Sequence, residues 1–148
     1  MAVALDPNGT FDYVLKRERD EDGEALPDAT IWRLRFLRAR EYDIVQRALA
    51  QAEKLTREDK DAPLMERSEQ VLQLGLRGWA KFYDSSGEEI AFPALSEGEV
   101  FGMRCMLAPS EAVARIPSAT DKVELLGAIL SGQTLTGAAA KKSLSQRP

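Results

Sequence analysis

The chain has 148 residues, of which 44% are hydrophobic and 30% are charged, so it has the size and composition of one globular domain. No apolar run approaches the roughly 20 residues of a membrane-spanning helix, and the first residues lack the basic start of a secretory signal peptide. A net charge of -4 argues against general nucleic-acid binding. With no histidine and one cysteine, the chain cannot form an internal disulfide and lacks the commonest general base and metal ligand.

Two alternating segments near the N-terminus predict an antiparallel β-hairpin. In Thr10 to Arg17, and again in Ala29 to Leu37, large apolar side chains occupy every second position. They are Phe11, Tyr13 and Leu15 in the first segment and Trp32, Leu34 and Phe36 in the second. The acidic stretch between the segments is typical of a solvated hairpin tip. We expect one face of the hairpin to be packed and the other, which carries Arg33 and Arg35, to face water.

Helical periodicity governs the next part of the chain. Apolar residues recur at intervals of three and four from Arg38 to Leu55, which predicts a long amphipathic helix. The polar run Thr56 to Asp61 predicts a linker. Pro63 then begins a second helix, whose apolar stripe leads to Trp79.

An aromatic segment, Trp79 to Phe92, is the predicted centre of the core. Two short runs flank the polar turn Asp84 to Gly87, which predicts a second short hairpin near 79–92 with the Asp84 side chain bonded to the backbone. We expect the aromatic residues to build a core rather than a platform for stacking on single-stranded bases. The predicted core aromatics are Trp32, Trp79, Phe82 and Phe92.

Helix signals recur in the last third of the chain. Ser96 and Glu99 have the spacing of a capping box, which predicts a helix through Leu107. A short helix is expected from Ser110 to Ile116. A final helix is predicted from Asp121 to Ser131, with Ser118 or Thr120 as cap, Val123 and Leu126 on its apolar face, and Gly132 as its end.

These elements predict the α+β fold class, with the N-terminal antiparallel β-hairpin packed on a small helical bundle. Residues 1–9 are turn-rich and predict a flexible leader. Residues 10–132 form the predicted single globular domain. Residues 133–148 hold few large apolar side chains and predict a flexible C-terminal tail.

No pattern in the sequence predicts a catalytic, cofactor or metal site. Cys105 lies in an apolar run with no histidine to activate it, so a buried structural thiol is expected. The acidic stretch Asp20 to Glu24 lacks the ligand spacing of a calcium loop. The candidate functional residues form a basic cluster: Arg33, Arg35, Arg38 and Arg40. This cluster is either a solvated face or a surface that docks an acidic partner or the acidic patch of a neighbouring copy.

Several short motifs follow one another along residues 10 to 142. They are Phe11 to Leu15, Thr30 to Leu37 with Glu41-Tyr42, Leu76 to Trp79 with Phe82 and Asp84 to Gly87, Ile116-Pro117, Val123 to Leu126, and the Lys141-Lys142 pair. In order and spacing this series resembles the tail assembly chaperones, small tail-morphogenesis proteins of long-tailed bacteriophages.

The resemblance implies a non-enzymatic protein that binds the tape measure protein and gathers tail tube subunits in the host bacterial cytoplasm during assembly. In that family a longer form is often made by ribosomal frameshifting, and Lys141-Lys142 is the kind of dipeptide that a slippery codon pair encodes. Phage neck, head-completion and minor tail or capsid proteins share this size and acidity. A structural subunit of the virion is therefore the alternative function, and a homo-oligomer is a further open alternative.

Overall fold

A computed structural model of the protein describes residues 9–59 and 62–146, with side-chain detail for 9–55 and 63–132. Its strands are β1 (Thr10–Tyr13), β2 (Ile31–Arg35), β3 (Leu76–Ala80), β4 (Ser96–Val100) and β5 (Met103–Leu107). Its helices are α1 (Ala39–Asp59), α2 (Ala62–Gly75), α3 (Ser110–Ala114) and α4 (Ala119–Gln146), with a short 3-10 helix at Lys16–Glu18. The α+β class predicted from the sequence is confirmed.

Strands β1, β2 and β3 form one antiparallel sheet with β2 in the middle. Phe11 pairs with Leu34, and Trp32 pairs with Trp79. The predicted N-terminal hairpin is therefore confirmed. The third strand is a partial correction, because the sequence pattern placed Trp79 at the end of a helical stripe and at the start of a separate hairpin, whereas its strand begins at Leu76 and pairs with β2. Helix α2 instead ends at Gly75, where an added Cβ would overlap the side chain of Ile129, and the chain enters the sheet at Leu76.

The core lies between this sheet and helices α1, α2 and α4. Trp32 and Phe82 are buried in it, while Trp79 and Phe92 are half-buried and pack against its edge. The Trp79 ring meets the rings of Trp32, Phe82 and Phe92 edge-on, with centroid separations of 5.8, 4.9 and 4.7 Å. The four predicted aromatic residues thus form one connected cluster.

The segment after β3 turns back on itself without forming a regular pair of strands. Tyr83 and Glu89 make an isolated bridge, and the Ile90 N–H donates to the Phe82 carbonyl at 2.7 Å. The predicted second hairpin near 79–92 is therefore present only in this reduced form. The predicted bond of the Asp84 side chain is confirmed, because its Oδ1 accepts from the N–H groups of Ser86 and Glu88.

The same turn occurs twice in the protein. Asp20 Oδ1 accepts from the N–H groups of Asp22 and Glu24, as Asp84 Oδ1 does at the equivalent positions. In each turn the first Asp and the final Glu also pair through their backbones at 2.8 Å. The glycines of the two turns, Gly23 and Gly87, have φ of 82° and 83°. Both turns therefore use the pattern Asp-x-x-Gly-Glu, in which glycine supplies the left-handed conformation.

The prediction of a helix from Ser96 to Leu107 is wrong. Strands β4 and β5 form a hairpin here, with Val100 paired to Met103. Phe101 and Gly102 both have positive φ, 54° and 74°, which is the conformation of a tight two-residue hairpin turn. Half-buried residues at every second position of β5 alternate with exposed ones, so period two prevails over the apparent capping box.

The long helices extend beyond their predicted ends. Helix α1 continues through most of the expected linker to Asp59, and residues 60–61 lie outside the described residues. Helix α4 continues past Gly132, its predicted end, to Gln146, so the expected tail begins within a helix. The Ser118 hydroxyl accepts from the Asp121 N–H at 3.1 Å, as one of the two predicted caps. Residues 1–8 of the predicted leader lie outside the described residues.

Candidate protein-docking surfaces

The predicted arginine cluster divides into exposed and buried members. Arg33 is exposed and makes a 3.4 Å ion pair with Asp12 on the neighbouring strand. Arg38 and Arg40 are exposed at the start of α1. Arg35 is different, because its side chain is only 11% exposed and its Nη2 donates to both carboxylate oxygens of Glu41, at 2.6 and 2.7 Å.

Arg35 therefore does not lie on a face open to water, which corrects the expectation from strand alternation. Glu41, in the first turn of α1, covers it and also accepts from the backbone N–H of Arg38 at 2.9 Å. The buried Nη1 of Arg35 has no hydrogen-bond partner among the described residues. Arg35 is thus a structural residue that ties β2 to the start of α1, and the docking candidates reduce to Arg33, Arg38 and Arg40.

A second arginine lies beside this pair. Burial, followed by the charge of Arg35, lowers the pKa of Arg77 to about 10. The Nη2 of Arg77 donates to the Met106 carbonyl at 2.9 Å and so links β3 to β5. Burial likewise raises the pKa of the nearby Cys105 thiol, which favours its protonated form. This region therefore has a structural role, because it connects the two sheets.

The N-terminal end of α4 is held by three polar contacts. The Tyr13 hydroxyl donates to Glu124 Oε2 at 2.7 Å, and the Lys16 N–H donates to the same oxygen at 2.8 Å. Arg17 donates from Nε and Nη2 to the two oxygens of the buried Asp121. These contacts fix one side of α4 against the N-terminal segment and leave its opposite side facing α2.

An apolar groove runs between α2 and α4. Its volume is about 270 Å³. The walls are Leu64, Met65, Ser68, Glu69 and Leu72 from α2 and Ala119, Lys122, Val123 and Leu126 from α4. Met65 and Val123 are 63% and 66% exposed, the largest values among the exposed large hydrophobic residues that the structure describes. Apolar side chains gathered in one exposed groove are typical of a surface that binds another protein.

A smaller cavity of about 170 Å³ lies on the other side of α2, against α1. Its lining mixes polar side chains with Leu55, which is also exposed. The groove between α2 and α4 is the more apolar of the two and contains the more exposed side chains, so we take it as the candidate docking site.

Sequence reasoning missed this groove because it treated the apolar face of α4 as a single stripe. The helix carries two stripes. Leu125, Ala128 and Ile129 are buried in the core, whereas Val123 and Leu126 line the groove. Val123, which the sequence placed on the packed apolar face of this helix, is exposed. A helix on the protein surface needs only one apolar stripe to pack on the core. The second apolar stripe of α4 is therefore the sequence signal that could have predicted an exposed binding surface.

Comparison of the chain with protein-family models, with curated proteins and with solved structures found no match. Within the described parts of the chain, no three acidic or sulfur ligands converge in a way that could hold a metal ion. Among the described helices, none is both long and apolar enough to cross a bilayer. The groove and the exposed arginines are therefore the two candidate binding surfaces among the described residues.

Proposed function

We propose that the protein is a non-enzymatic phage morphogenesis factor, a tail assembly chaperone that binds tape measure and tail tube proteins in the host bacterial cytoplasm. The main support for this proposal is the exposed apolar groove between α2 and α4. Two of its side chains, Met65 and Val123, are mostly exposed in the isolated chain. The motif series described above supports the choice of partner.

The groove suits a helical partner. A partner helix can lay an apolar ridge between two helices, with side chains three or four residues apart entering the groove. Burying Met65 and Val123 fully would contribute about 1–3 kcal/mol each. Methionine adapts its shape to different neighbours, which suits a protein that holds its partners and then releases them.

The exposed arginines provide a second contact in this proposal. Arg33, Arg38 and Arg40 would attract an acidic region of the partner and increase the association rate. Arg35 has no part in this, since Glu41 already binds it. Replacing the three exposed arginines with glutamate should weaken partner binding, while the unfolding midpoint stays close to that of the wild type.

Co-expression with the tape measure and tail tube proteins tests the role of the groove. Val123→Lys should lose most co-purification of the partner, because it places a charge in the groove. Met106→Lys is the matched control, since Met106 is also an exposed apolar residue, at 46%, but lies on β5 away from the groove. Equal binding by the two variants would contradict the proposed site.

Mass spectrometry of purified particles and of the lysate in which they assemble tests the chaperone role. A chaperone that leaves before maturation gives peptides in the lysate and none in the particles. A fixed copy number in finished particles would instead make the protein a structural subunit of the virion.

A further inference from the structure

An ion pair joins the two walls of the groove between α2 and α4, halfway along its length. Lys122 Nζ, from α4, lies 3.4 Å from Glu69 Oε1, from α2. Leu64 and Met65 precede Glu69 on its wall, and Leu72 follows it. The apolar lining of the α2 wall is therefore interrupted by a charge near its centre.

The α4 wall has the same arrangement. Ala119 precedes Lys122 and Leu126 follows it, and all three line the groove. The side chains of Glu69 and Lys122 are 53% and 29% exposed, whereas Leu72 in the same groove is 1% exposed. The charged groups therefore meet near the mouth of the groove, while its floor is apolar.

A partner helix that fills the groove along its whole length must separate these two charges. If an apolar ridge covered Glu69 and Lys122 apart from each other, each charge would lose both water and its counter-charge, which is strongly unfavourable. If the pair stays closed, an apolar ligand is limited to one half of the groove. The ion pair therefore opposes the entry of a long apolar segment in either case.

We infer that the Glu69–Lys122 ion pair is a strap across the groove, which restricts apolar ligands and which the partner opens when it binds. This inference rests on the proposed function and adds a regulatory step to it. An exposed ion pair changes an equilibrium by no more than about fivefold, so the strap weakens entry without preventing it. A partner that offers its own charged side chains to Glu69 and Lys122 compensates for the opening, whereas a purely apolar segment does not.

Titration of the full chain with the neutral dye Nile red, without any partner, tests the strap. Glu69→Lys and Lys122→Glu each place like charges on the two walls, so the strap cannot close. Each variant should lower the dissociation constant of the dye about two- to fivefold. Glu69→Gln removes one charge with little change of shape and should act in the same direction. Far-UV circular dichroism should show all three variants folded, because both side chains are partly exposed.

The double variant with Glu69→Lys and Lys122→Glu gives the decisive result. It restores an opposite-charge pair with the two ends exchanged, so the dye affinity should return to within about twofold of the wild type. Glu97→Lys is the matched control. It breaks the exposed Glu97–Arg104 pair on the β4–β5 hairpin, outside the groove, and should leave dye binding unchanged.

The gain in dye affinity must also arise in the groove. Adding Val123→Lys to Glu69→Gln should remove the gain, because Val123 lines the groove. The inference would be overturned by single variants that bind the dye like the wild type, by a double variant that binds it like the single variants, or by a gain that survives Val123→Lys. These titrations contain no partner, so their outcome is independent of the co-expression experiment and the two proposals fail separately.

Discussion

The sheet side of the protein and its α2/α4 side use their side chains in opposite ways. On the sheet side, charged residues that look available in the sequence are bound within the chain, as Arg35 is by Glu41 and Arg17 by Asp121. On the α2/α4 side, apolar residues that look like core in the sequence are exposed, as Val123 is. In this chain, exposed apolar area is therefore a better guide than charge to the candidate docking surface.

Removing the aromatic centre of the sheet side should have the largest effect on stability. Trp79→Ala deletes a ring that contacts three others and should lower the free energy of unfolding by about 3–4 kcal/mol. Trp79→Phe is the control. It keeps a ring but loses the 2.7 Å bond from Nε1 to the Ile90 carbonyl, and should cost about 1 kcal/mol. Urea denaturation measures both, and an unchanged midpoint for Trp79→Ala would contradict its place in the cluster.

Breaking the buried Arg35–Glu41 ion pair should have the next largest effect on the free energy of unfolding. Glu41→Gln leaves the Arg35 guanidinium buried without its counter-charge, and we expect a loss of about 2–3 kcal/mol. Arg104→Ala breaks the Arg104–Glu97 pair, whose geometry is as close, 2.6 Å, but whose side chains are exposed. That variant should cost less than about 1 kcal/mol. Equal losses in urea denaturation would mean that burial does not distinguish the two pairs.

The same denaturation assay should separate the two stripes of α4. Val123→Ser alters the groove and should change stability by less than about 0.5 kcal/mol, because the side chain is already largely in water. Leu125→Ala alters the buried stripe two residues further along and should cost about 2–4 kcal/mol. If Val123→Ser were as damaging as Leu125→Ala, the groove would be part of the core.

The contact between Tyr13 and Glu124 should make stability fall in alkali. Burial, followed by the hydrogen bond to Glu124, raises the pKa of Tyr13 to about 12. The folded state then keeps a proton that the unfolded state loses near its ordinary pKa of 10.0, so this contribution is present below pH 10 and is lost between about pH 10 and 12. Tyr13→Phe should reduce the decline in that window, and an identical decline would show that other groups cause it.

The smallest expected effect is at the exposed turn of Asp84. Hydrogen bonds, first from Ser86 and then from the Glu88 backbone, lower the pKa of Asp84. Their contribution to stability is therefore complete above the ordinary carboxyl pKa and is lost as the pH falls below it. Unfolding of the wild type and of Asp84→Asn, followed from about pH 6 to pH 2, should differ most at the upper end and converge at the lower end. A difference that grows as the pH falls would show that ionised Asp84 does not stabilise the folded state.

Regular alternation made the N-terminal hairpin predictable. Trp32 and Leu34 are buried on one face of β2, as period two requires. The β4–β5 hairpin was not predictable in the same way, because Ser96 and Glu99 fit a helix start equally well. The positive φ angles at Phe101 and Gly102 and the alternating burial along β5 distinguish the two interpretations, and a short apolar run encodes neither clearly.

The candidate site was less predictable than the fold. Whether Arg35 is exposed depends on Glu41, which reaches it only after the loop between β2 and α1 has been built. Whether Val123 is buried depends on which side of α4 receives the sheet, and contacts such as Arg17 with Asp121 decide that from more than one hundred residues away. Tertiary contacts of this kind override the local sequence patterns on which the predictions were based.

The two Asp-x-x-Gly-Glu turns bear on the order in which the chain folds. All of their hydrogen bonds join residues no more than four apart, so each turn can close within about 1–10 µs, the time in which isolated hairpins form. The pairing of Trp32 with Trp79 joins distant parts of the chain and must overcome a much larger loss of entropy. We therefore expect both reversals to be in place before β3 joins the sheet, so that the rate of folding is set by the docking of that strand.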